Sequence, residues 1–208
     1  MSYRQPATTN SDVQAKTWLL PEDVEQMRDA CLETFPPHLQ DRNEAIIALL
    51  YDTGLRRDEA SQLDVEHLNL DAGTIYLPGE IQKGDDQPDI PLELGKYGAD
   101  CSRILRRYLR DRWKDTDALF PARSSDRLTG RSITRNVVKR AAEAADIKPQ
   151  TVGGGTGDPS DVTAHTLRHS VAYRIIQRED GRLEDVQLRL RHSARDTTDR
   201  IYSHLRPR

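Results

Sequence analysis

A histidine, His192, stands ten positions before Tyr202, a tyrosine close to the final residue. Upstream, His165 and Arg168 lie three apart in His165-Thr-Leu-Arg168. Far upstream is Thr53-Gly-Leu-Arg56-Arg-Asp-Glu59, followed by Lys83. Residues three apart on a helix share a face, so His165 and Arg168 can reach one ligand. Each group alone is commonplace. Together they are the types that phosphodiester cleavage needs when no metal assists. Negative charge gathers on the non-bridging oxygens in the transition state, and preorganised arginines are the best protein substitute for a metal there. Arg56 and Arg168 suit that task, with His192 as a further donor. Tyr202 can serve as nucleophile and form a covalent phospho-enzyme. His165, which titrates near neutrality, suits uptake of the phenol proton. Lys83 suits delivery of a proton to the leaving hydroxyl.

A rival chemistry is metal ligation. His165 and His169 form an i, i+4 pair, as on metal-binding helices. No glutamate lies between them to act as base, and no carboxylate or cysteine cluster has ligand spacing, so the expectation is no metal and no cofactor. Cys31 and Cys101 are far apart and read as reduced thiols of a cytosolic protein.

The elements that would position these groups read as follows. Residues 1–17 are polar and unpatterned and are expected to form a loose tail. Pro21 opens a helix with acids in its first turn, and Pro36-Pro37 ends it. Asp41-Arg-Asn-Glu44 resembles a capping box for the next helix. That helix contains Ala45-Ile-Ile-Ala-Leu-Leu-Tyr51, apolar nearly all round and therefore central to the core. Gly54 stops it, so Arg56 falls at a helix junction where a side chain can enter a cleft. Thr74–Leu77 reads as a strand, and Ile81–Lys83 and Asp89–Leu92 as a hairpin with a polar tip between them. Helical periodicity returns over Ala99–Trp113, Ser132–Asp146, Thr163–Gln177 and Leu183–Leu190. The fold class is mainly α with a small antiparallel β-sheet (α+β).

The 208 residues are 36% hydrophobic and 31% charged. The longest apolar run, Ala45–Tyr51, is too short to span a bilayer, and the N-terminus lacks the apolar stretch of a signal peptide. A net charge of −3 conceals an asymmetry: residues 1–100 hold 8 Lys and Arg against 20 Asp and Glu, whereas residues 101–208 hold 23 against 14. A basic half is the footprint of a phosphate-binding face, and arginine, at 25 against 6 lysines, suits bidentate phosphate contacts. The basic stripe Arg131, Arg135, Lys139 and Arg140 on the helix after Ser132 is the candidate DNA-facing surface. The Gly153–Gly157 loop lacks the following Lys-Ser/Thr and the preceding strand of a phosphate-cradling loop.

Thr53-Gly-Leu-Arg56-x-x-Glu59, the hairpin lysine, His165-x-Leu-Arg168-His169 and Leu190-Arg-His192-Ser193…Thr197-Thr198…Tyr202 together resemble the tyrosine recombinase (phage integrase) family over about residues 18–205. The resemblance implies that Tyr202 attacks the scissile phosphate and forms a 3′-phosphotyrosyl bond, releasing a 5′-hydroxyl that a partner strand later replaces. It implies double-stranded DNA as partner, a tetramer on DNA with a monomer in solution, and a cytoplasmic, nucleoid-associated location. It implies phosphate binding by Arg56, Arg168 and His192, a general acid in Lys83, a general base in His165, and a bracing role for Glu59. The spacing to Glu59 favours Arg56 over Arg57 as the active arginine, and His169 reads as a packing or bracing histidine. A DNA-relaxing topoisomerase and a non-catalytic DNA-binding protein of the same fold are the alternatives. Three departures stand out. Residues 18–208 are expected to be a catalytic domain without the helical clamp domain that usually precedes it. Little chain follows Tyr202 to dock on a neighbouring protomer. Arg191 replaces the glycine that commonly precedes the histidine.

Overall fold

The computed structural model describes residues 17–84, 87–96, 100–192, 198, 201, 202 and 205. The expected tail therefore lies outside the described residues except for Thr17. So do Ser193–Thr197 and His204.

Helices α1 (Pro21–Thr34) and α2 (Pro37–Thr53) form the first layer. Every α2 residue from Arg42 to Thr53 is buried, and α1, α4 (Cys101–Arg110) and α7 (Ala164–Gln177) pack around it. Its start differs from the sequence expectation. Pro37 sits in its first turn, behind Pro36, where a missing N–H costs nothing. Asp41 and Glu44 are therefore inside the helix and cap nothing. They pair with arginines instead: Asp41 with Arg107 at 3.0 Å, and Glu44 with Arg28 at 3.2 Å and with Arg107.

The end of α2 follows expectation. Gly54 is left-handed (φ 64°), and its N–H donates to the Leu50 carbonyl at 3.0 Å. A Cβ there would lie 2.4 Å from Leu190 Cδ2, because the C-terminus of α8 (Leu183–Leu190) is pressed against this turn. The short helix α3 (Arg57–Gln62) follows directly.

The three-stranded sheet keeps the expected strands at Thr74–Leu77 and, shifted by one residue, at Ile90–Glu93, but its third strand is Leu68–Asn69. Its order is β2 (Leu68–Asn69), β3 (Thr74–Leu77), β4 (Ile90–Glu93), all antiparallel, with Leu77 opposite Ile90 and Ile75 opposite Leu92. Ile81–Lys83 is not a strand. After Pro78 the chain turns into a short 3₁₀ helix, Gly79–Ile81. Asp89 then accepts from the Gly79 N–H and the Tyr76 hydroxyl, each at 2.7 Å, and Gln82 Nε2 donates to the Pro88 carbonyl at 2.7 Å. Side chains therefore close residues 78–89 where a ladder was anticipated. Lys83 is exposed on this loop.

Gly130–Ser132 (α5), Ile133–Val138 in π geometry and Lys139–Ala144 (α6) make one continuous helix. A second small sheet pairs β1 (Thr17–Trp18) with β5 (Gln150–Thr151), a pairing no local pattern announced. Helix α7 starts at a reciprocal cap: Thr163 Oγ1 accepts from the Thr166 N–H at 3.2 Å, and Thr166 Oγ1 accepts from the Thr163 N–H at 3.1 Å. No helix among the described residues is long and apolar enough to cross a membrane.

Gly54→Ala would force a Cβ into a left-handed turn and against Leu190. Chemical denaturation is expected to show a loss of about 2 kcal/mol or more. A loss within a few tenths of a kcal/mol would mean that the α2–α8 junction is not closed as described.

Candidate functional site

One cleft is lined by Arg56, Arg57, Asp58, Lys83, Thr134, Thr163, Ala164, His165 and Arg168. The structure thus gathers Arg56 from the start of α3, Lys83 from the β3–β4 loop, and His165 and Arg168 from the first turns of α7. The Thr163 cap sets the phase of α7 and so aims His165 and Arg168 to the same side.

Arg56 precedes the first residue of α3, and its backbone N–H donates to Glu59 Oε2 at 2.7 Å. Its guanidinium NH1 donates to Glu59 Oε1 at 2.7 Å while the side chain stays 31% exposed. Glu59 is 2% exposed. Burial would raise its pKa, but Arg191 and Arg56 outweigh that and hold it below the ordinary carboxylate value. Arg57 is the more exposed of the two arginines and pairs only loosely with Asp58, at 3.5 Å.

Arg168 is 2% exposed. NH1 donates to the Gly54 carbonyl and NH2 to the Leu190 carbonyl, the two orphaned helix ends that meet at this point. Burial, then the charges of Arg191 and Arg56, pull its pKa down to about 9. It remains a cation at neutral pH, held where an anion would be welcome.

His165 is exposed to the cleft. The concave wall desolvates it, and Arg168 and Arg56 add repulsion, so its pKa is lowered. Its ring meets that of His169 edge-on at 4.2 Å. His169 is buried, and its Nδ1 is 2.8 Å from the Tyr202 hydroxyl. The phenol therefore rests on His169 and not on His165. Tyr202 is 1% exposed; burial raises its pKa, against the pull of Arg168 and Arg56. On its other side its ring lies parallel to His192, with centroids 5.9 Å apart. His192 bonds Thr198 Oγ1 through Nδ1 at 2.9 Å. Burial, then Arg168, Arg56, Arg191 and His165, lower its pKa to about 4. His192 and Tyr202 thus lie within reach of the field of Arg168 and Arg56 but do not line the cleft.

The basic stripe divides. Arg131 and Arg135 are exposed and Lys139 half-buried, with no ion pair among the described residues. Arg140 instead lies over the Phe35 ring, 5.2 Å from its centroid. The α4 arginines are largely neutralised: Arg103 pairs with Asp100, Arg106 with Asp71, and Arg107 with Asp41 and Glu44.

Two features escaped sequence reasoning. Thr134 lines the cleft from the π segment, and its hydroxyl is buried without a partner among the described residues. Helical periodicity gives no sign of a π turn, although such turns gather at functional sites. The second is the His169–Tyr202 bond, which joins residues 33 apart. The metal reading of His165 and His169 gains nothing from this geometry, since His169 Nδ1 is taken by Tyr202. The described residues that cluster with ligand-like spacing are Asp64, Glu66 and His67, away from the cleft. There Asp64 pairs with Arg127, and His67 Nδ1 accepts from the Asp64 N–H.

A family model described as the phage integrase family matches residues 17–208. The tyrosine recombinase XerC of Salmonella typhi is 33% identical over 187 residues, which cover 88% of this chain and 54% of that protein. XerC of Anoxybacillus flavithermus is 28% identical over 199 residues, covering 90% of this chain and 57% of that protein. The chain spans about half the length of the curated relatives it matches. Among solved structures, the XerA recombinase superposes with a TM-score of 0.68 at 22% identity, covering 100% of this chain and 68% of that one. The XerH site-specific recombinase bound to its difH substrate superposes with a TM-score of 0.65 at 25% identity, covering 90% of this chain and 50% of that one.

Acidification should weaken the fold through the histidines of this site. The folded state holds His192 near pH 4, whereas its ordinary value is 6.5. Between those values the unfolded chain binds a proton that the folded chain refuses, so stability falls as pH drops through the window. Thermal melts at pH 7 and pH 5 are expected to differ by roughly 3 °C or more, and His192→Asn should narrow the gap. An unchanged gap in that variant would place the titrating group elsewhere.

Proposed function

Because the chain belongs to the phage integrase family of tyrosine recombinases, we propose that it is the catalytic part of a site-specific DNA recombinase that cleaves and rejoins DNA through Tyr202. The observation that carries this is the convergence of Arg56, Lys83, His165 and Arg168 on one cleft, with Tyr202 bonded to His169, whose ring touches that of His165. Residues 18–208 act as the catalytic domain, and double-stranded DNA is the partner. The XerH neighbour, bound to its difH substrate, supports that partner.

In the proposed reaction the scissile phosphate lies against Arg56 and Arg168. The Tyr202 oxygen attacks phosphorus, a 3′-phosphotyrosyl bond forms, and the bond to the 5′-oxygen breaks. Lys83 donates a proton to the leaving 5′-oxygen. His165 takes the phenol proton; its lowered pKa keeps it neutral, and so able to accept, at physiological pH. A 5′-hydroxyl from a partner strand then attacks the phosphotyrosyl phosphorus and returns Tyr202. The phosphodiester energy is conserved in the covalent bond, so the step needs no nucleotide cofactor and, with two guanidinium groups on the phosphate, no metal. Exchange of two strand pairs would take place in a tetramer. Arg131, Arg135 and Lys139 are offered as backbone contacts.

The reaction requires Tyr202 to move. Its hydroxyl is held by His169, and its buried phenol resists ionisation. Exchange of the His169 bond for the scissile phosphate would bring the nucleophile and the arginines together.

Incubation with a library of nicked duplexes, followed by denaturation and protease digestion, tests this reading. The chain is expected to trap DNA covalently, with and without EDTA, and Tyr202→Phe should trap none. An adduct that survives in Tyr202→Phe would overturn the nucleophile assignment, and loss of trapping in EDTA would overturn the metal-independent mechanism.

A further inference from the structure

Arg191 occupies a backbone position that suits glycine. It ends α8 in the left-handed conformation, φ 55° and ψ 47°, where a side chain is disfavoured and glycine is the usual cap. The turn itself is closed by backbone groups: the Arg191 N–H donates to the Leu188 carbonyl at 3.2 Å and the His192 N–H to the Gln187 carbonyl at 3.1 Å. Nothing in that turn requires an arginine side chain.

The side chain is nevertheless buried, at 6% exposure. Its NH2 donates to Glu59 Oε2 at 2.8 Å, and its NH1 to the Arg189 carbonyl at 3.1 Å and the Thr53 carbonyl at 3.4 Å. Glu59 is thereby gripped from two sides. Oε1 takes Arg56 NH1, while Oε2 takes the Arg56 backbone N–H and Arg191. A carboxylate held by Arg56 alone would spend much of that cation's field. With Arg191 present, two guanidinium groups, Arg56 and Arg191, share one carboxylate, with Arg168 within its field, so a positive excess remains for an anion in the cleft.

We propose that Arg191 is a positioning residue for the strand-transfer reaction: by clamping Glu59 opposite Arg56, it locks the phosphate-facing guanidinium of Arg56 and the turn that carries His192 into one frame. This rests on the function proposed above for the same cleft. Arg191 touches no reacting atom and acts through Glu59. Among the groups facing it, Glu59 attracts it and Arg56 and Arg189 repel it, so its place depends on that carboxylate.

The test is a double-mutant cycle on Arg191→Gly, Glu59→Gln and the pair, with Arg191→Lys as the conservative control. Glycine relieves the left-handed turn and so offsets part of the stability lost with the buried Glu59 pair, and Arg191→Gly is expected to fold cooperatively with a lower thermal midpoint. Single-turnover adduct formation, on the duplex that the unaltered chain traps, should slow about tenfold to a hundredfold, as for a reactive group displaced by a fraction of an ångström. DNA affinity in a gel shift should change less than about twofold. Arg191→Lys should recover part of the rate, and the pair should be no slower than Glu59→Gln alone. A parental rate in Arg191→Gly, or losses that multiply in the pair, would overturn the proposal. A second arm needs no turnover. In a ¹³C-carboxyl NMR titration, the Glu59 pKa should rise in Arg191→Gly, and an unchanged titration would also overturn the proposal. If the unaltered chain traps no DNA, the proposed function falls, and the NMR arm still decides whether Arg191 holds Glu59.

Discussion

The structure depends most on the two hydrogen bonds that Arg168 makes to the backbone. Helices leave their last carbonyls unpaired, and burying such groups without partners costs about 1–3 kcal/mol each. The ends of α2 and α8 are buried against each other, with Gly54 too close to Leu190 to carry a side chain. Arg168, from the first turns of α7, reaches both ends and satisfies the Gly54 and Leu190 carbonyls. The same guanidinium lines the cleft. A buried cation that cements three helices cannot wander, and an anion arriving at the cleft meets a charge already in place. This is electrostatic preorganisation supplied by fold stability.

The charge asymmetry of the sequence has a second meaning in three dimensions. Much of the basic C-terminal half pairs with the acidic N-terminal half inside the fold: Arg107 with Asp41 and Glu44, Arg127 with Asp64, Arg189 with Asp52, Arg191 with Glu59. These pairs bind distant stretches of chain together, so the positive excess is smaller at the surface than the count suggests. What remains without an acid partner among the described residues is local: Arg168, held by carbonyls at the cleft, and Arg131, Arg135 and Lys139 on the helix that carries Thr134, while Arg56 shares Glu59 with Arg191. Affinity for a polyanion would therefore concentrate around the site, while helix α4, the most arginine-rich stretch, spends its charge on neighbouring acids.

Tyr202 shows how the same packing restrains chemistry. Its hydroxyl is satisfied by His169, its ring is stacked on His192, and burial opposes its ionisation. A phenol in that state is a poor nucleophile. Under the proposed function, reactivity would come with the exchange of His169 for a phosphate between the arginines, which would couple the activation of Tyr202 to occupancy of the cleft.

Several features were legible in the sequence because the signals act over a few residues. The apolar run Ala45–Tyr51 had to be buried, Gly54 had to end its helix, and the spacing of His165 to Arg168 put that pair on one face. The chemical types at Arg56, Lys83, His165, Arg168, His192 and Tyr202 were also readable, since phosphodiester chemistry without a metal calls for a short set of side chains. Other features arose only when distant segments met. The partner of β3 on one side is β2 and not Ile81–Lys83, because Asp89 and Gln82 close the loop with side chains that a strand pattern cannot anticipate. The β1–β5 pair, the partners of the α4 arginines, the burial of Arg191 against Glu59 and the rest of Tyr202 on His169 all join residues far apart in the chain. Caps, periodicity and helix stops are decided by neighbours in sequence. Ladders, ion pairs and the resting place of Tyr202 are decided by what the folded chain brings alongside, which is why the sequence alone could single out candidate groups and only the tertiary structure could say what holds each of them.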